Sequence, residues 1–152
     1  LLKQIYDCNV FKMDDFFLQP FQRTKERLES PGENVDHERF KEEILIPLSK
    51  HEDVKLRRFN CSTKSIESAI LIPYKPFNII EGSYSMHSRL QKYYDSSVFL
   101  TVNKDEQLSR LKKRNPKMLN NFIQQWIPLE ETYFNTFSIQ DKCNIQIDTS
   151  KA

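Results

Sequence analysis

The stretch Asn9-Val10-Phe11-Lys12-Met13-Asp14-Asp15-Phe16-Phe17 decides how the chain is read: an apolar run stops abruptly on two adjacent carboxylates, and two aromatics follow. A strand that is apolar along its length is one covered on both faces, as in a parallel sheet flanked by helices. In open α/β sheets ligands bind outside the carboxyl ends of the strands, so acids placed there stand where a substrate arrives. Working outward, Phe77-Asn78-Ile79-Ile80-Glu81-Gly82 repeats the pattern, apolar and then acidic. Two neighbouring strands ending in acid offer oxygen ligands for a divalent metal and a base for a hydroxyl between them. For the Asp-Asp pair alone, capping of a turn is an equally good reading; the second acid-terminated strand favours a cleft.

The remaining elements alternate around these two. Leu1 to Asp7 reads as the last turn of a helix, and the polar segment from Leu18 to Asn34, with Pro20, Pro31 and Gly32, reads as an excursion over the surface. Asn34-Val35-Asp36-His37 precedes a helical pattern to about Leu48, which Asp36 or Asn34 caps and Pro47 limits. Val54–Asn60 and Ile66–Pro73 are two extended segments joined by Cys61 to Ser65, an inserted hairpin. A short helix is expected near Ser88 to Tyr94 and a buried strand over Ser97 to Val102. A basic helix follows over Asp105 to Arg114, then a helical pattern from Lys117 to Phe134 that Pro128 kinks or divides, and a last strand over Asn144 to Asp148. Strands alternating with helices predict a mostly parallel sheet with helices on both faces, in one domain spanning residues 1–152 with a hairpin at about 54–73 and a basic lid at about 105–117.

Composition narrows the function. A net charge of +2 over 152 residues makes no case for nucleic acid, and no apolar run is long enough to span a bilayer. The chain shows no signal peptide and starts at Leu1 without a methionine, so the true start is expected upstream. Cys8, Cys61 and Cys143 are odd in number and lack CxxC spacing, which fits reduced structural thiols in the cytoplasm. Only two glycines are present, Gly32 and Gly82, whereas a Walker-type loop needs clustered glycines to aim its N–H groups at phosphate. Asp36-His37 reads as an N-cap beside an exposed imidazole, or as a pair facing substrate hydroxyls. His51 and His87 have no partner at metal-ligand spacing; both are expected at the surface, and no zinc site is assigned. Arg110, Lys112, Lys113, Arg114 and Lys117 read as a solvated helix face, a weak nucleic-acid patch, or a lid closing over phosphoryl oxygens. Phe59, Tyr74, Trp126 and Tyr133 are more often core than ligand stackers.

The order MDDFF, NVDH, IIEG, VFLTV with DEQLSRLKKR, WIPLEETYF and NIQID resembles the uridine kinase family of P-loop nucleoside kinases, over almost the whole chain from Asn9 to Asp148. The nicotinamide riboside kinases share the DDFF element. The resemblance implies a P-loop α/β fold, here without its first strand and phosphate loop, and transfer of the γ-phosphoryl group of ATP or GTP to a nucleoside 5′-hydroxyl with Mg2+. It makes Asp14 the catalytic base and a metal contact, Glu81 the second metal residue, and Asp36, with Phe17 and His37, the nucleoside side of the site. Arg110 matches a lid arginine at the phosphates, with Lys113 and Arg114 beside it. Three departures accompany it. The phosphate loop with its lysine and serine or threonine is absent, so this stretch alone is expected to bind nucleotide poorly and to be inactive. An earlier lid arginine falls on Gln107. The tyrosine and histidine with which animal-type uridine kinases read the pyrimidine fall on Phe59 and Lys64, which leaves another acceptor, such as nicotinamide riboside or pantothenate, as the alternative. A non-catalytic binding domain is the alternative from outside the enzymes. The expected partners are therefore a nucleoside and a nucleoside triphosphate, with neither nucleic acid nor membrane; a homo-oligomer is left open.

Overall fold

The two acid-terminated stretches are paired parallel strands. In the computed structural model, which describes residues 2–151, β1 (Asn9–Lys12) follows the short helix α1 (Leu2–Ile5). β1 runs parallel to β6 (Asn78–Glu81), with Asn9 opposite Asn78 and Lys12 opposite Glu81. Everything between the two strands is the crossover that a parallel pair requires. The chain falls into two compact units, Leu1–Tyr93 and Tyr94–Ala152.

In the first unit the excursion after β1 is more ordered than a surface loop. It holds a 3-10 turn at Pro20–Gln22 and helix α2 (Lys25–Glu29), capped by the Thr24 side chain, which accepts the Arg27 N–H at 3.2 Å. Arg27 turns back to donate to the Glu33 and Val35 carbonyls at 3.1 Å each and to Glu38 at 2.6 Å, which closes the excursion on itself. Leu18 and Val35 are buried at its two ends, joined to the core beside an antiparallel bridge between Phe17 and Val35. The expected helix is present as α3 (His37–Phe40), a π-helical turn at Lys41–Leu45 and α4 (Ile46–Ser49).

The hairpin also forms. β2 (Val54–Leu56) pairs antiparallel with β5 (Ile70–Ile72), and β3 (Phe59–Asn60) with β4 (Ser65–Ile66). Its tip is shaped by Asn60, whose side-chain oxygen accepts the N–H groups of Ser62 and Thr63 at 2.9 and 3.2 Å, and by Lys64 at φ 54°. After β6, the helix expected over Ser88–Tyr94 is instead a series of three-residue turns ending in a 3-10 turn at Gln91–Tyr93. The His87 N–H donates to Tyr84 and the Leu90 N–H to His87, so the segment winds too tightly for an α-helix while Leu90 fills the core.

The second unit contains β7 (Val98–Thr101), α5 (Lys104–Arg114), α6 (Leu119–Asn121), α7 (Ile127–Thr136), α8 (Ile139–Lys142) and β8 (Ile145–Asp148), with β7 and β8 parallel. Asn103 caps α5, accepting the Glu106 N–H at 2.8 Å, and Asn115-Pro116 ends it. The expected burial of β7 does not hold within this unit. Phe99 packs edge-on against Phe134, whereas Val98 and Leu100 on the other face are 49% and 62% exposed. Among the described residues of this unit, the Val98 and Leu100 face of the β7–β8 pair therefore lacks a covering element.

The two Ile-Pro pairs that lie within helical segments, Ile46-Pro47 and Ile127-Pro128, are accommodated by the same device. Ile46 donates its N–H to Lys41 and Ile127 donates to Phe122, five residues back, so a π-helical turn precedes each proline. The wider turn spares Pro47 and Pro128 the clash with the carbonyl four residues earlier. The break expected at Pro128 is therefore a local widening, and α7 starts at Ile127.

The three cysteines are free thiols, with Cys8 and Cys143 buried and Cys61 exposed on the hairpin tip. Burial also pushes the Cys143 thiol up, against a hydrogen bond from Ser97 that lowers it. Maleimide labelling of the native protein near neutral pH should therefore modify Cys61 quickly and leave the other two unreacted until denaturant is added. Peptide mass mapping of the labelled sites is the check.

Candidate functional site

The carboxyl ends of β1 and β6 form the site's floor. Directly after Lys12 the chain enters a 3-10 turn at Met13–Phe16, in which Met13 and Phe16 are fully buried and Asp14 is exposed. The burial of the two apolar residues decides which way the acids face. Opposite them, Glu81 ends β6 and is exposed, and Gly82 turns away at φ 137°. A Cβ on Gly82 would lie 2.7 Å from the Met13 Cβ. The glycine is required both for its backbone conformation and for the close approach of the two strand ends.

The two adjacent aspartates part company here. Asp15 accepts from Arg58 Nε of the hairpin region at 3.2 Å. Asp14 makes no side-chain hydrogen bond or ion pair among the described residues, so its lone pairs are available to an incoming hydroxyl or cation.

Behind the acids lies Arg39, whose guanidinium sits 4.1 Å from the centroid of the Phe16 ring. It donates to the carbonyls of Arg57 at 2.6 Å and Asp15 at 3.4 Å, and to Glu43 at 3.4 Å. Burial lowers its pKa, and the carboxylates of Glu43 and Asp36 oppose that effect. Glu43 is also paired with Arg57. Asp36 caps α3 as expected: its Oδ1 accepts the Arg39 N–H at 3.0 Å, and its Oδ2 lies 3.5 Å from Arg39 Nε. Its own N–H donates to the Phe16 carbonyl at 2.8 Å. The Asp36 side chain is 4% exposed, so cap and ion pair hold it inward.

The histidines depart furthest from expectation. His37 is not an exposed imidazole: it is fully buried and stacked on His87, with ring centroids 3.9 Å apart and planes 16° apart. His87 is buried as well, not at the surface. Both meet Glu33, His37 Nε2 at 2.7 Å from Oε2 and His87 Nε2 at 3.2 Å from Oε1. Burial pushes the Glu33 carboxyl up, but the hydrogen bonds and charge of His37 and His87 outweigh it and the pKa is lowered. For His87 burial and the charge of His37 win, and its pKa is lowered against the pull of Glu33. Glu38, 3.4 Å from His37 Nδ1, is likewise lowered: burial raises it, and the Arg27 hydrogen bond, a backbone hydrogen bond and the charges of His37 and Arg27 together outweigh that. Glu33 and His37 are four positions apart, but no local spacing brings in His87, 54 positions from Glu33.

The other expected site residues fall as follows. Phe17 is 37% exposed, next to the acid turn. Phe59 is 9% exposed and belongs to the core of the hairpin base, so its ring is not presented to a ligand. Lys64 is exposed at the hairpin tip. Arg110, Lys113 and Arg114 lie on α5 in the second unit. Arg110 is held there, donating to Glu106 at 2.7 Å and to the Thr149 carbonyl at 2.6 Å. Arg114 lies 5.7 Å from the Phe122 ring, and Lys113 is exposed. Among the described residues no helix is long and apolar enough to cross a membrane.

No protein-family model and no curated relative matches the sequence. Solved structures do match. A "possible uridine kinase" from Bacillus stearothermophilus superposes with a TM-score of 0.69 at 17% identity, over 97% of this chain and 75% of that one. A "putative fructose transport system kinase" from Silicibacter sp. TM1040 superposes with a TM-score of 0.60 at 21% identity, over 96% of this chain and 77% of that one. The chain thus has the α/β fold of uridine-kinase-like P-loop kinases, with parallel strand pairs and flanking helices.

Gly82→Ala should cost about 1–3 kcal/mol, the range for a residue forced into a glycine-only conformation against packed atoms. Urea unfolding of the variant beside the wild type measures it, and shortening Met13 to alanine should not restore the loss, because alanine keeps the Cβ that is met first.

Proposed function

We propose that the protein is a phosphotransferase that moves the γ-phosphoryl group of ATP or GTP to a hydroxyl of a small sugar-bearing acceptor, a nucleoside by preference. The observation that carries this reading is Asp14: an exposed, unengaged carboxylate at the carboxyl end of a parallel strand, beside the exposed carboxylate of Glu81. A carboxylate so placed can accept the proton of a hydroxyl as its oxygen attacks phosphorus. Glu81 and Asp14 supply hard oxygen donors of the kind Mg2+ prefers. When bound, Mg2+ would neutralise charge on the phosphoryl oxygens.

Support comes also from the names of the similar structures, a "possible uridine kinase" and a "putative fructose transport system kinase". Ribose and fructose share the feature the site would have to read, an alcohol on a polyhydroxylated ring. Phe17 offers a partly exposed aromatic face beside the acids on which a base could stack. Asp36, held by Arg39, would need to give up that ion pair to reach ribose hydroxyls, and the buried rings of His37 and Phe59 are left out of the acceptor site. For that reason the acceptor's hydroxyl is a firmer part of the proposal than its base.

The test is coupled ADP release by the intact gene product with ATP and Mg2+, across nucleosides, nicotinamide riboside, pantothenate and fructose. One acceptor should be turned over, and Asp14→Asn should lower kcat by roughly 10²–10⁴-fold, the range of general-base catalysis, while KM for the acceptor stays within a few-fold. Near wild-type turnover by the variant would remove Asp14 from the base role. Silence of the wild type on every acceptor would favour a binding domain.

A further inference from the structure

The segments leaving the two acid-bearing strand ends meet in a buried cluster that phosphoryl transfer does not use. Glu33 comes from the excursion after β1, His37 from the start of α3, and His87 from the turns after β6; their ligating atoms all lie within 4.8 Å of one another. The imidazoles are almost completely buried, while the Glu33 side chain is 26% exposed and leaves one side of the cluster open to water.

The protons of the cluster are the informative part. His87 Nδ1 accepts the Arg89 N–H at 3.3 Å, so its Nε2 holds the proton that faces Glu33. His37 stands between two carboxylates: Nε2 is 2.7 Å from Glu33, and Nδ1, buried without a hydrogen-bond partner, is 3.4 Å from Glu38 Oε2. A neutral imidazole has one N–H for these two acceptors, and its remaining lone pair must face a carboxylate oxygen. That repulsion in a buried site is relieved by a positive species at Nε2, a second proton or a metal ion, with the Nδ1 proton directed to Glu38 in either case; a metal ion would in addition engage the third converging ligand, His87. A carboxylate behind a metal-binding histidine fixes the tautomer in just this sense.

We propose that Glu33, His37 and His87 form a binding site for one zinc-class divalent ion, with Glu38 orienting His37 and water completing the coordination. Two imidazoles and a carboxylate are a donor set that suits zinc. Ligand atoms on a tetrahedral zinc at roughly 2.0–2.1 Å are about 3.3 Å apart, so the His37–Glu33 contact has to open by only about 0.6 Å. His87 gives up the 3.3 Å contact with the Arg89 N–H and tilts out of the stack. Each imidazole then stays neutral, its proton moving from Nε2 to Nδ1. The ion would staple together the two excursions that leave β1 and β6.

Purified full-length protein, stripped with chelator, is titrated with Co2+ and then with Zn2+. One equivalent of Co2+ should produce visible d–d absorption without a sulfur charge-transfer band, Zn2+ should abolish it, and Zn2+ should raise Tm. His87→Gln and Glu33→Gln should each lose the absorption and bind Co2+ more than roughly 100-fold more weakly, beyond the 10–100-fold that loss of an outer-shell partner costs. His51→Gln should behave as wild type. The proposal falls if the wild type binds no Co2+, if a sulfur band shows that cysteines hold it, or if both variants keep wild-type affinity with native circular dichroism. Because these readouts need no substrate, they are separate from the test of phosphoryl transfer.

Discussion

The structure of the first unit depends on one close approach, that of Met13 to Gly82 at the carboxyl ends of two parallel strands. Parallel strands cannot be joined by a tight turn, so the register that sets Lys12 against Glu81 is imposed across a long crossover. What holds it is local to the strand ends. Met13 is fully buried under the glycine, Phe16 is buried one turn later, and the two aspartates between them are forced outward by those flanking residues. The position of the acids follows from the burial of their apolar neighbours.

Arg39 performs the corresponding task for the crossover. A buried guanidinium is tolerated only when its donors and charge are satisfied. Here Asp15, Glu43 and Arg57 accept hydrogen bonds from the two Nη groups, and Asp36 supplies charge 3.5 Å from Nε, which has no hydrogen-bond partner, with Phe16 beneath the guanidinium. One side chain thereby joins the acid turn, the start of α3 and the base of the hairpin. A lysine has the charge but not the planar set of donors, so it could not take all of these contacts at once.

What was legible in the sequence is what has a local cause. The runs at Asn9–Met13 and Asn78–Glu81, the cap at Asp36, the break at Asn115-Pro116 and the hairpin between Val54 and Pro73 each carry their signal within a few residues, and each is present. Pro47 and Pro128 suggest limits or kinks because the clash of a proline is local, whereas its relief by a widened turn depends on how the preceding residues pack. Val98 and Leu100 look like core by composition, but burial of a strand's face depends on what packs over it. The most consequential miss is His87. A histidine 50 residues from its stacking partner His37 leaves no mark in spacing, and the i,i+4 pair of Glu33 and His37 does not by itself point to a third member.

The same contrast separates Asp14 from Asp15, which are equivalent in the sequence and unequal in the fold. Asp15 has committed a carboxylate oxygen to Arg58 and its carbonyl to Arg39, so it acts as a tether between the acid turn and the hairpin region. A general base needs the opposite condition, an oxygen with no cation already on it and a path to solvent. Asp14 meets that condition because Asp15 carries the tethering. The pair therefore gives one acid to position and one acid to react, and an exchange of the two roles would require the 3-10 turn to rotate Met13 or Phe16 out of the core.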